Sequence, residues 1–430
     1  MDILTTGCGL LAAWAVLPAC DAFLRWRRLA AFPERSVPFR PPKRLLVLVP
    51  SRGEGARVGD LATDVRREAG TAAISTTVDL RVLLDGPDPD ASARLDREGV
   101  PYLSKNLPGP AKGDALAFLA EQLRTGIDAS DYVLVFDADM RLPERFFRDL
   151  NVPDGAEVFQ LPVRPAGVPG PGAPRVEALS LAEARLDDLA RDAEGLPVRL
   201  RGKAMGFTPK AFRLGPAAAT RTTAEDSEAT LLLLTAGIRV RALGSPVAFD
   251  EPAPAAAAMA RSRARWLGGH LKLLFTGLPD LLRLARKSPK GAFVLAADLW
   301  LRPRLFVLLA LAIIAVGSDV AMLVFSSSGA WMAAASGGAG AASGAGGASA
   351  AVGARPIALL LFLLLLSLEA KTTLAFDCLS IAALRRHIGY PPEIPAVTLA
   401  DLFSSLSMWA RAAGRALLAP SRWHRARPPA

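Results

Sequence analysis

Two carboxylates separated by a single residue are the strongest chemical signal in the sequence. Asp137 and Asp139 come directly after the apolar run Tyr132–Phe136, which is typical of a buried strand. A hard divalent cation such as Mg²⁺ or Mn²⁺ prefers oxygen ligands and often bridges phosphates. We therefore interpret this pair as the candidate metal ligands of a diphosphate site. A solvated turn with two acids is the alternative interpretation.

Two further acidic residues follow apolar runs of the same kind. Glu54 comes after Leu45–Val49, and Asp85 comes after Asp79–Leu84. Ligands of parallel α/β sheets bind at the carboxyl ends of the strands. Because a carboxylate accepts hydrogen bonds, both side chains could bind the base or ribose of a nucleoside. At Asp85 a solvated acidic loop is a serious alternative.

A lysine stands at the start of a predicted helix. Lys112 and Gly113 precede Ala115–Leu123, where leucines recur at helical spacing. A lysine beside the free N–H groups of a helix start suits a phosphate. Taken alone, an ordinary surface lysine is the favoured interpretation of Lys112.

An acidic pair begins another predicted helix. Glu225 and Asp226 precede the apolar run Leu231–Leu234. A sugar hydroxyl is a poor nucleophile, and a positioned carboxylate can take its proton, so Asp226 is the candidate general base. The alternative is a helix-capping acid, because Asp226 lies three residues after Thr223.

A basic and aromatic cluster follows at Ser262–Trp266. Arg263 and Arg265 could neutralise a leaving pyrophosphate, and Trp266 could stack on a sugar or an acceptor. A basic patch beside a membrane, with an interfacial tryptophan, is the alternative.

The elements that must position these residues alternate between strands and helices. Between residues 43 and 249, apolar strand-like runs are separated by helical stretches, which predicts an α/β domain with a mostly parallel sheet. Residues 268–290 mix leucines with lysines and arginines at helical spacing. This pattern favours a pair of amphipathic helices on the cytoplasmic leaflet of a membrane, and a surface helix of the globular domain is the alternative.

Composition narrows the class of protein. The chain has 430 residues, of which 51% are hydrophobic, and a formal net charge of +10. It is long enough for a large domain and membrane helices. Three cysteines and three histidines have no metal-ligand spacing, so we expect neither a histidine-based zinc site nor a disulfide framework. Since arginines border the apolar segments, the positive charge indicates a membrane partner and no nucleic acid.

Three apolar segments are long enough to cross a bilayer. Arg25, Arg27 and Arg28 follow the first of them, which by the positive-inside rule leaves the next domain in the cytoplasm. The predicted organisation is a transmembrane helix at 1–24, a linker at 25–42, the α/β domain at 43–266, interfacial helices at 267–303, transmembrane helices at 304–326 and 356–378, a flexible Gly/Ala/Ser loop at 327–355 between them, and a basic cytoplasmic tail at 379–430.

The order of the motifs resembles that of a family 2 glycosyltransferase, in the membrane-bound, cellulose synthase-like branch. The resemblance covers about Lys43 to Trp266. It rests on the segments Pro50-Ser51-Arg52-Gly53-Glu54, Asp85, Lys112-Gly113-Asp114-Ala115-Leu116, Asp137-Ala138-Asp139, Gly202-Lys203-Ala204-Met205-Gly206, Glu225-Asp226 and Arg263-Ala264-Arg265-Trp266.

This resemblance implies a GT-A fold, a nucleotide-sugar donor, with a UDP-sugar favoured, and Mg²⁺ or Mn²⁺ as cofactor. It implies inverting transfer to a lipid or glycan hydroxyl, in cell-envelope synthesis at the bacterial inner membrane. The implied roles are nucleotide-sugar binding by Glu54, Asp85, Lys112, Asp137 and Asp139, metal binding by Asp139 and Asp137, catalysis by Asp226, Arg265, Trp266 and Arg263, and acceptor binding by Gly202, Met205, Glu225 and Trp266.

Some positions depart from the family pattern. Ser262 replaces the glutamine of the QxxRW motif, and Ala204 stands where the second glycine of the acceptor loop is usual. With only three predicted spans, these departures favour a single sugar transfer over polymer synthesis. Two other functions are alternatives. One is a non-catalytic membrane subunit with a degenerate transferase domain, and the other is a phosphatase of the haloacid dehalogenase type with Asp137 as nucleophile.

Overall fold

The computed structural model describes residues 20–28, 38–70, 76–251, 256–300 and 399–418, with residues 317, 319, 320, 368, 371–373 and 375. The chain divides into two compact units. One comprises Met1–Ala31 and Leu301–His387, and the other comprises Phe32–Trp300 and Ile388–Ala430. All the candidate site residues lie in the second, which is termed the α/β unit.

A parallel group of strands forms one half of the main sheet. Strand β2 (Arg44–Ser51) pairs with β3 (Thr77–Asp85) and with β5 (Tyr132–Val135), and β3 pairs with β4 (Tyr102–Lys105). Apolar side chains on both faces of β2 are buried, which is why its sequence is continuously apolar rather than alternating. The three strands predicted from apolar runs are confirmed.

The other half of the sheet is mixed. Strand β10 (Met205–Phe207) runs antiparallel between β5 and β8 (Val158–Gln160), and β11 (Val240–Ala242) is parallel to β8. The seven strands have the order β11-β8-β10-β5-β2-β3-β4. A Cβ on Gly206 would lie 2.1 Å from the ring of Phe159, so glycine allows β10 to lie against this ring.

Two small sheets and a set of helices complete the scaffold around the main sheet. Strand β1 (Phe39–Arg40) pairs with β7 (Val152–Pro153), and β12 (Ala248–Asp250) lies between β6 (Met140–Arg141) and β9 (Val163–Pro165). The first helices are α1 (Arg57–Gly70), α2 (Pro89–Glu98), α3 (Lys112–Gln122), α4 (Arg124–Ala129), α5 (Phe146–Asp149), α6 (Ala173–Ala193), α7 (Pro209–Leu214) and α8 (Glu225–Thr235).

Each face of the main sheet carries its own hydrophobic core. On one face, Val58 and Leu61 of α1 pack with Phe146 and the sheet. On the other, Leu116 of α3 and Leu233 of α8 pack against the opposite side of the same strands. The main sheet is thus held between two cores, and the polar residues follow its strands at one edge.

The remaining helices are α9 (Ala256–Thr276), α10 (Leu278–Lys287), α11 (Pro289–Trp300) and α12 (Leu399–Leu418). Helix α12 lies within the segment predicted as a basic tail, yet it packs on α9 and α6 as part of the α/β unit. Asp401 of α12 accepts hydrogen bonds from Gly172 N at 2.5 Å and from Arg175 at 3.0 Å. Trp409 lies 6.4 Å from Trp266, measured between ring centroids.

The membrane predictions fall largely outside the described residues. In the parts of the chain that the structure describes, no helix combines the length and the apolar character needed to cross a bilayer. Most of the predicted spans at 1–24, 304–326 and 356–378, and all of the loop at 327–355, lie outside those parts. The predicted amphipathic pair does form helices, as the second half of α9 and as α10, and it exposes Phe275 and Leu282.

Candidate active site

A pocket of about 230 Å³ opens at the carboxyl ends of β2 and β5. It brings together most of the residues singled out in the sequence, which come from distant parts of the chain. The predicted residues that line it are Glu54, Lys112, Asp137, Asp139, Gly202, Glu225, Asp226, Arg263, Arg265 and Trp266.

Lys112, the first residue of α3, is directed at the acidic pair. Its ammonium donates to Asp137 Oδ1 and, at 2.6 Å, to the carbonyl oxygen of Gly202. Gly113 makes this position attainable, because a Cβ there would lie 1.8 Å from the carbonyl oxygen of Ala219. Close backbone packing therefore sets where the helix begins and where its lysine points.

A second lysine lies on the other side of the acidic pair. The Nζ of Lys203 is 2.7 Å from both carboxylate oxygens of Asp250 and 3.9 Å from Asp137 Oδ2. Its neighbour Ala204 has φ of +50°, a left-handed conformation that is uncommon for a residue with a Cβ. The Gln160 side-chain amide secures this turn by donating to the carbonyl oxygen of Lys203 at 2.8 Å.

The lysines set the charges of the acidic pair. Burial alone would raise the pKa of Asp137, but the ammonium groups of Lys112 and Lys203 hold it below its ordinary value. Burial raises the pKa of Asp139 to about 6 against the positive charge of Lys203, and the negative charges of Asp250 and Asp137 add to the rise. Burial opposes the charge of Lys203, yet the surrounding carboxylates raise its pKa.

The acidic pair fits the chemistry of Mg²⁺ or Mn²⁺. Among the described residues, no cluster of three or more Asp, Glu, His or Cys side chains forms a complete protein cage for a metal. Mg²⁺ usually binds through one or two carboxylates and completes its shell with phosphate oxygens and water. Asp137 and Asp139 supply such a pair at the wall of an open pocket. A metal there competes with Lys203 for the same negative charge.

Glu225 and Asp226 form the first turn of α8, where the helix dipole favours negative charge. Asp226 is buried and lies beside the loop of Lys203, since a Cβ on Gly202 would be 3.7 Å from the Asp226 carboxylate. Burial, with the neighbouring charge of Asp226, raises the pKa of Glu225 to about 7. The pocket thus holds two carboxylates at the place where a hydroxyl could lose a proton.

Helix α9 supplies the arginines and the tryptophan of the pocket. Arg265 faces the charges of Glu225 and Asp137 from a half-buried position, and desolvation lowers the pKa of its guanidinium. Trp266 is fixed from behind by His270, at 4.0 Å between ring centroids, and by the guanidinium of Arg199, at 5.5 Å from its ring. A rigidly held indole is suited to stacking on a flat ligand surface.

Arg263 lines the pocket but is engaged on its outer side. Its guanidinium donates to Glu177 of α6 and lies 5.7 Å from the ring of Trp409 in α12. The prediction that Arg263 neutralises a leaving diphosphate stays a prediction, and in this structure its closest charged partner is Glu177.

Two residues that were predicted to contact a ligand are buried in this structure. The side chain of Asp85 has no exposed surface, and it accepts hydrogen bonds from Arg52 and from Gly109 N at 3.3 Å. Asp85 therefore positions Arg52, whose side chain lines the pocket, and its own contact with a nucleoside stays a prediction. Met205 is 2% exposed and packs in the core under the sheet, because its side chain points to the α3 face of β10.

Several lining residues were missed by sequence reasoning. Arg52 follows β2 directly, and Lys203 lies inside the loop 202–206, whose glycines and methionine resemble an acceptor-site motif. In the sequence, Arg52 and Lys203 are marked by their position beside or within a motif and not by their residue type. Thr223 contributes by donating from Oγ1 to the Arg265 carbonyl oxygen at 3.0 Å. The lining residues to which the sequence assigned no role are Pro50, Arg52, Ala138, Arg201, Lys203, Thr223 and Ser262.

Comparison with known proteins returns glycosyltransferase structures. No protein-family model matches the chain, and no curated protein matches it. The mannosyltransferase PcManGT from Pyrobaculum calidifontis, solved with GDP-Man and Mn²⁺, is 15% identical, with a TM-score of 0.46, over 89% of this chain and 99% of that one. Glucosyl-3-phosphoglycerate synthase from Mycobacterium tuberculosis, solved with Mn²⁺, UDP and phosphoglyceric acid, is 18% identical, with a TM-score of 0.33, over 49% and 72%. The function proposed for this chain therefore rests on the residues of its own pocket.

Proposed function

We propose that the chain is a metal-dependent, inverting glycosyltransferase of family 2 that transfers a sugar from a nucleotide sugar, with a UDP-sugar favoured as donor. One observation carries this proposal. A single pocket joins an acidic pair suited to a metal-bound diphosphate, two lysines and four arginines that offer positive charge, and a carboxylate pair suited to proton removal. The solved structures that the chain resembles include glycosyltransferases bound to nucleotide sugars and Mn²⁺.

The donor half of the pocket would hold a diphosphate. A divalent metal on Asp139, with help from Asp137, would neutralise the leaving group. Lys203 and Arg265 face the same carboxylates and carry the positive charge that a diphosphate needs when the sugar departs. Arg52, fixed by Asp85, and Glu54 stand at the β2 end of the pocket, where the nucleoside would bind.

The acceptor half would perform the proton transfer. Asp226 takes the proton of an acceptor hydroxyl, whose oxygen then forms a bond to the anomeric carbon. The bond between that carbon and the diphosphate oxygen breaks in the same step, on the opposite face, so the configuration inverts. Trp266, held by His270, is placed to stack on the sugar or the acceptor.

We also propose that the acceptor hydroxyl belongs to a lipid or a glycan and that the enzyme works on the cell envelope at the bacterial inner membrane, with this unit in the cytoplasm. Support comes from the arginines after the first apolar segment. It also comes from the surface of α9 and α10, where Phe275 is 80% exposed and Leu282 is 54% exposed beside Lys272 and Arg283. Such a surface suits the lipid headgroup region.

Release of nucleoside diphosphate by the purified protein would test the proposal. The assay needs a panel of UDP- and GDP-sugars, Mn²⁺ or Mg²⁺, and a membrane lipid extract as acceptor source. We expect release from one donor, and a loss of about 10²- to 10⁴-fold in Asp226→Asn. Asp149→Asn, at an exposed ion pair with Arg145, is the matched control and should keep full activity.

Two results would contradict the proposal in different ways. A product that retains the anomeric configuration would rule out the single displacement. Metal-dependent nucleotide binding without release, in the presence of the lipid extract, would instead favour the non-catalytic membrane subunit.

A further inference from the structure

A second cavity, of about 250 Å³, adjoins the pocket on the side of α6 and α9. The two spaces share the wall residues Asp139, Arg201, Lys203, Ser262 and Arg263. A molecule in the second cavity would therefore reach the first across these residues, without crossing the main sheet.

One part of this second cavity is apolar. Leu161 and Val163 come from the segment after β8, Leu181 comes from α6, and Met259 comes from α9. The prolines at 162, 165 and 174 add further apolar surface. The cavity can thus receive an uncharged portion of a ligand as well as a polar group.

Most of the charged side chains in its wall are already neutralised in pairs. Arg201 Nε donates to Asp188 at 2.7 Å, Arg263 donates to Glu177, and Lys203 binds Asp250. Because these carboxylates are matched by cations, they add little negative potential for an incoming ligand to overcome.

Arg185 differs from these pairs. One of its terminal nitrogens donates to the Gly244 carbonyl oxygen at 2.6 Å, but its Nε is buried and has no hydrogen-bond partner within the part of the chain that the structure describes. Burial lowers the pKa of the Arg185 guanidinium, and the neighbouring cation Arg164 lowers it further. A half-buried guanidinium with a cationic neighbour is stabilised by an anion placed beside it.

We propose that the second cavity is the acceptor subsite and that Arg185 binds a carboxylate or phosphate group of the acceptor, while the apolar wall receives its uncharged portion. This inference rests on the proposed glycosyltransferase function. The acceptor hydroxyl reaches the first pocket past Lys203 and Ser262 and gives its proton to Asp226, as its oxygen replaces the diphosphate on the anomeric carbon.

The anionic group could belong to a soluble molecule or to a lipid, and equilibrium binding separates these sources. The probes are glycerol 3-phosphate in solution and phosphatidylglycerol in mixed micelles, with glycerol and diacylglycerol as their uncharged counterparts. Each is titrated into protein saturated with nucleoside diphosphate and Mn²⁺. The variants are Arg185→Met, Arg185→Lys and the control Arg213→Met, whose side chain pairs with Asp128 at the surface.

We expect the wild-type protein to bind an anionic probe and neither uncharged one, and Arg185→Met to bind it about 10- to 100-fold more weakly. Arg185→Lys should recover part of the affinity, and Arg213→Met should match wild type. The proposal is overturned if neither anionic probe binds, or if the uncharged probes bind as tightly as the anionic ones. It is also overturned if Arg185→Met binds the anionic probe like wild type while its melting temperature shows that it is folded.

Donor binding in the same samples separates this proposal from the glycosyltransferase proposal. A nucleotide sugar should bind Arg185→Met and wild type equally, because Arg185 does not line the first pocket. If the wild-type protein binds no nucleotide sugar, the glycosyltransferase proposal fails, and the result with the anionic probes still decides whether Arg185 binds an anion.

Discussion

Lys203 and Asp250 form a two-point ion pair, with the ammonium nitrogen 2.7 Å from each carboxylate oxygen. The pair lies where the wall of the first pocket meets that of the second, next to Asp139. A protein cation therefore balances the acidic pair before any metal or diphosphate arrives. Metal binding and nucleotide binding should both respond to its removal.

Lys203→Met is expected to bind Mn²⁺ about tenfold more tightly without nucleotide, because the carboxylates lose a competing cation. Without metal, the same variant should lose about 1–3 kcal/mol of stability, since Asp250 is left unpaired, and Mn²⁺ should restore part of it. Manganese titration and thermal melting measure the two effects. Lys210→Met, at an exposed pair with Glu157, is the control, and unchanged manganese affinity in Lys203→Met would contradict the expected competition.

The pKa of Glu225 predicts a pH-dependent stability. Folding raises it from 4.5 to about 7, so the folded protein holds this proton more strongly than the unfolded one. The stabilisation is complete below pH 4.5 and is lost as the pH rises through 7. Glu225→Gln should therefore melt near wild type at pH 4.5 and a few degrees above it at pH 8. The exposed Glu121→Gln serves as control, and an equal difference at both pH values would refute the prediction.

The close packing at Gly113 predicts that one added methyl group destabilises the folded protein. Its Cβ would lie 1.8 Å from a backbone oxygen of Ala219, so Gly113→Ala must displace the start of α3 together with Lys112. We expect a loss of about 1–3 kcal/mol in denaturant unfolding, together with weaker nucleotide binding. Gly126→Ala is the matched control, because its Cβ meets no atom within 4 Å and should be neutral or stabilising. Equal stability of the two variants would count against this packing argument.

The contact between Arg52 and Asp85 predicts that Asp85 affects nucleotide affinity through Arg52. Arg52→Met removes a cation from the pocket wall and the guanidinium partner of the buried Asp85 carboxylate, so it should weaken nucleotide binding about tenfold and cost about 1–3 kcal/mol of stability. Asp85→Asn keeps the charge of Arg52 but loosens its attachment, so it should weaken binding less, with a loss of stability because a buried partner of Arg52 and Gly109 is altered. Calorimetric titration beside thermal melting gives both quantities. Arg81→Met, paired with Asp79 on the surface of β3, is the control, and tighter binding in either variant would exclude this role.

Local pattern predicted the central strands well. A run such as Leu45–Val49 is apolar on both faces, and only a strand buried on both sides needs that composition. The polar residues after β2 and β5 could then be placed at one edge, which is where the pocket lies. These conclusions need no information from distant parts of the chain.

Contacts between residues that are far apart in the sequence set the features of the site that the local sequence pattern did not predict. Asp85 was expected to face a nucleoside, but Arg52 and Gly109 enclose it, and neither residue is near it in sequence. Lys203 meets Asp250 only because β12 pairs with β9 and β6. Arg185 belongs to no sequence motif, and its lowered pKa follows from burial and from the charge of Arg164.

The α/β unit is built from two stretches of chain, Phe32–Trp300 and Ile388–Ala430. Helix α12 belongs to the later stretch, yet its Trp409 lies against Trp266 and Arg263. During biosynthesis the strands that carry the acidic pair leave the ribosome long before this helix exists. A nascent chain can thus form the donor half early, but the support behind Trp266 and Arg263 is finished only after residues 399–418 have been synthesised.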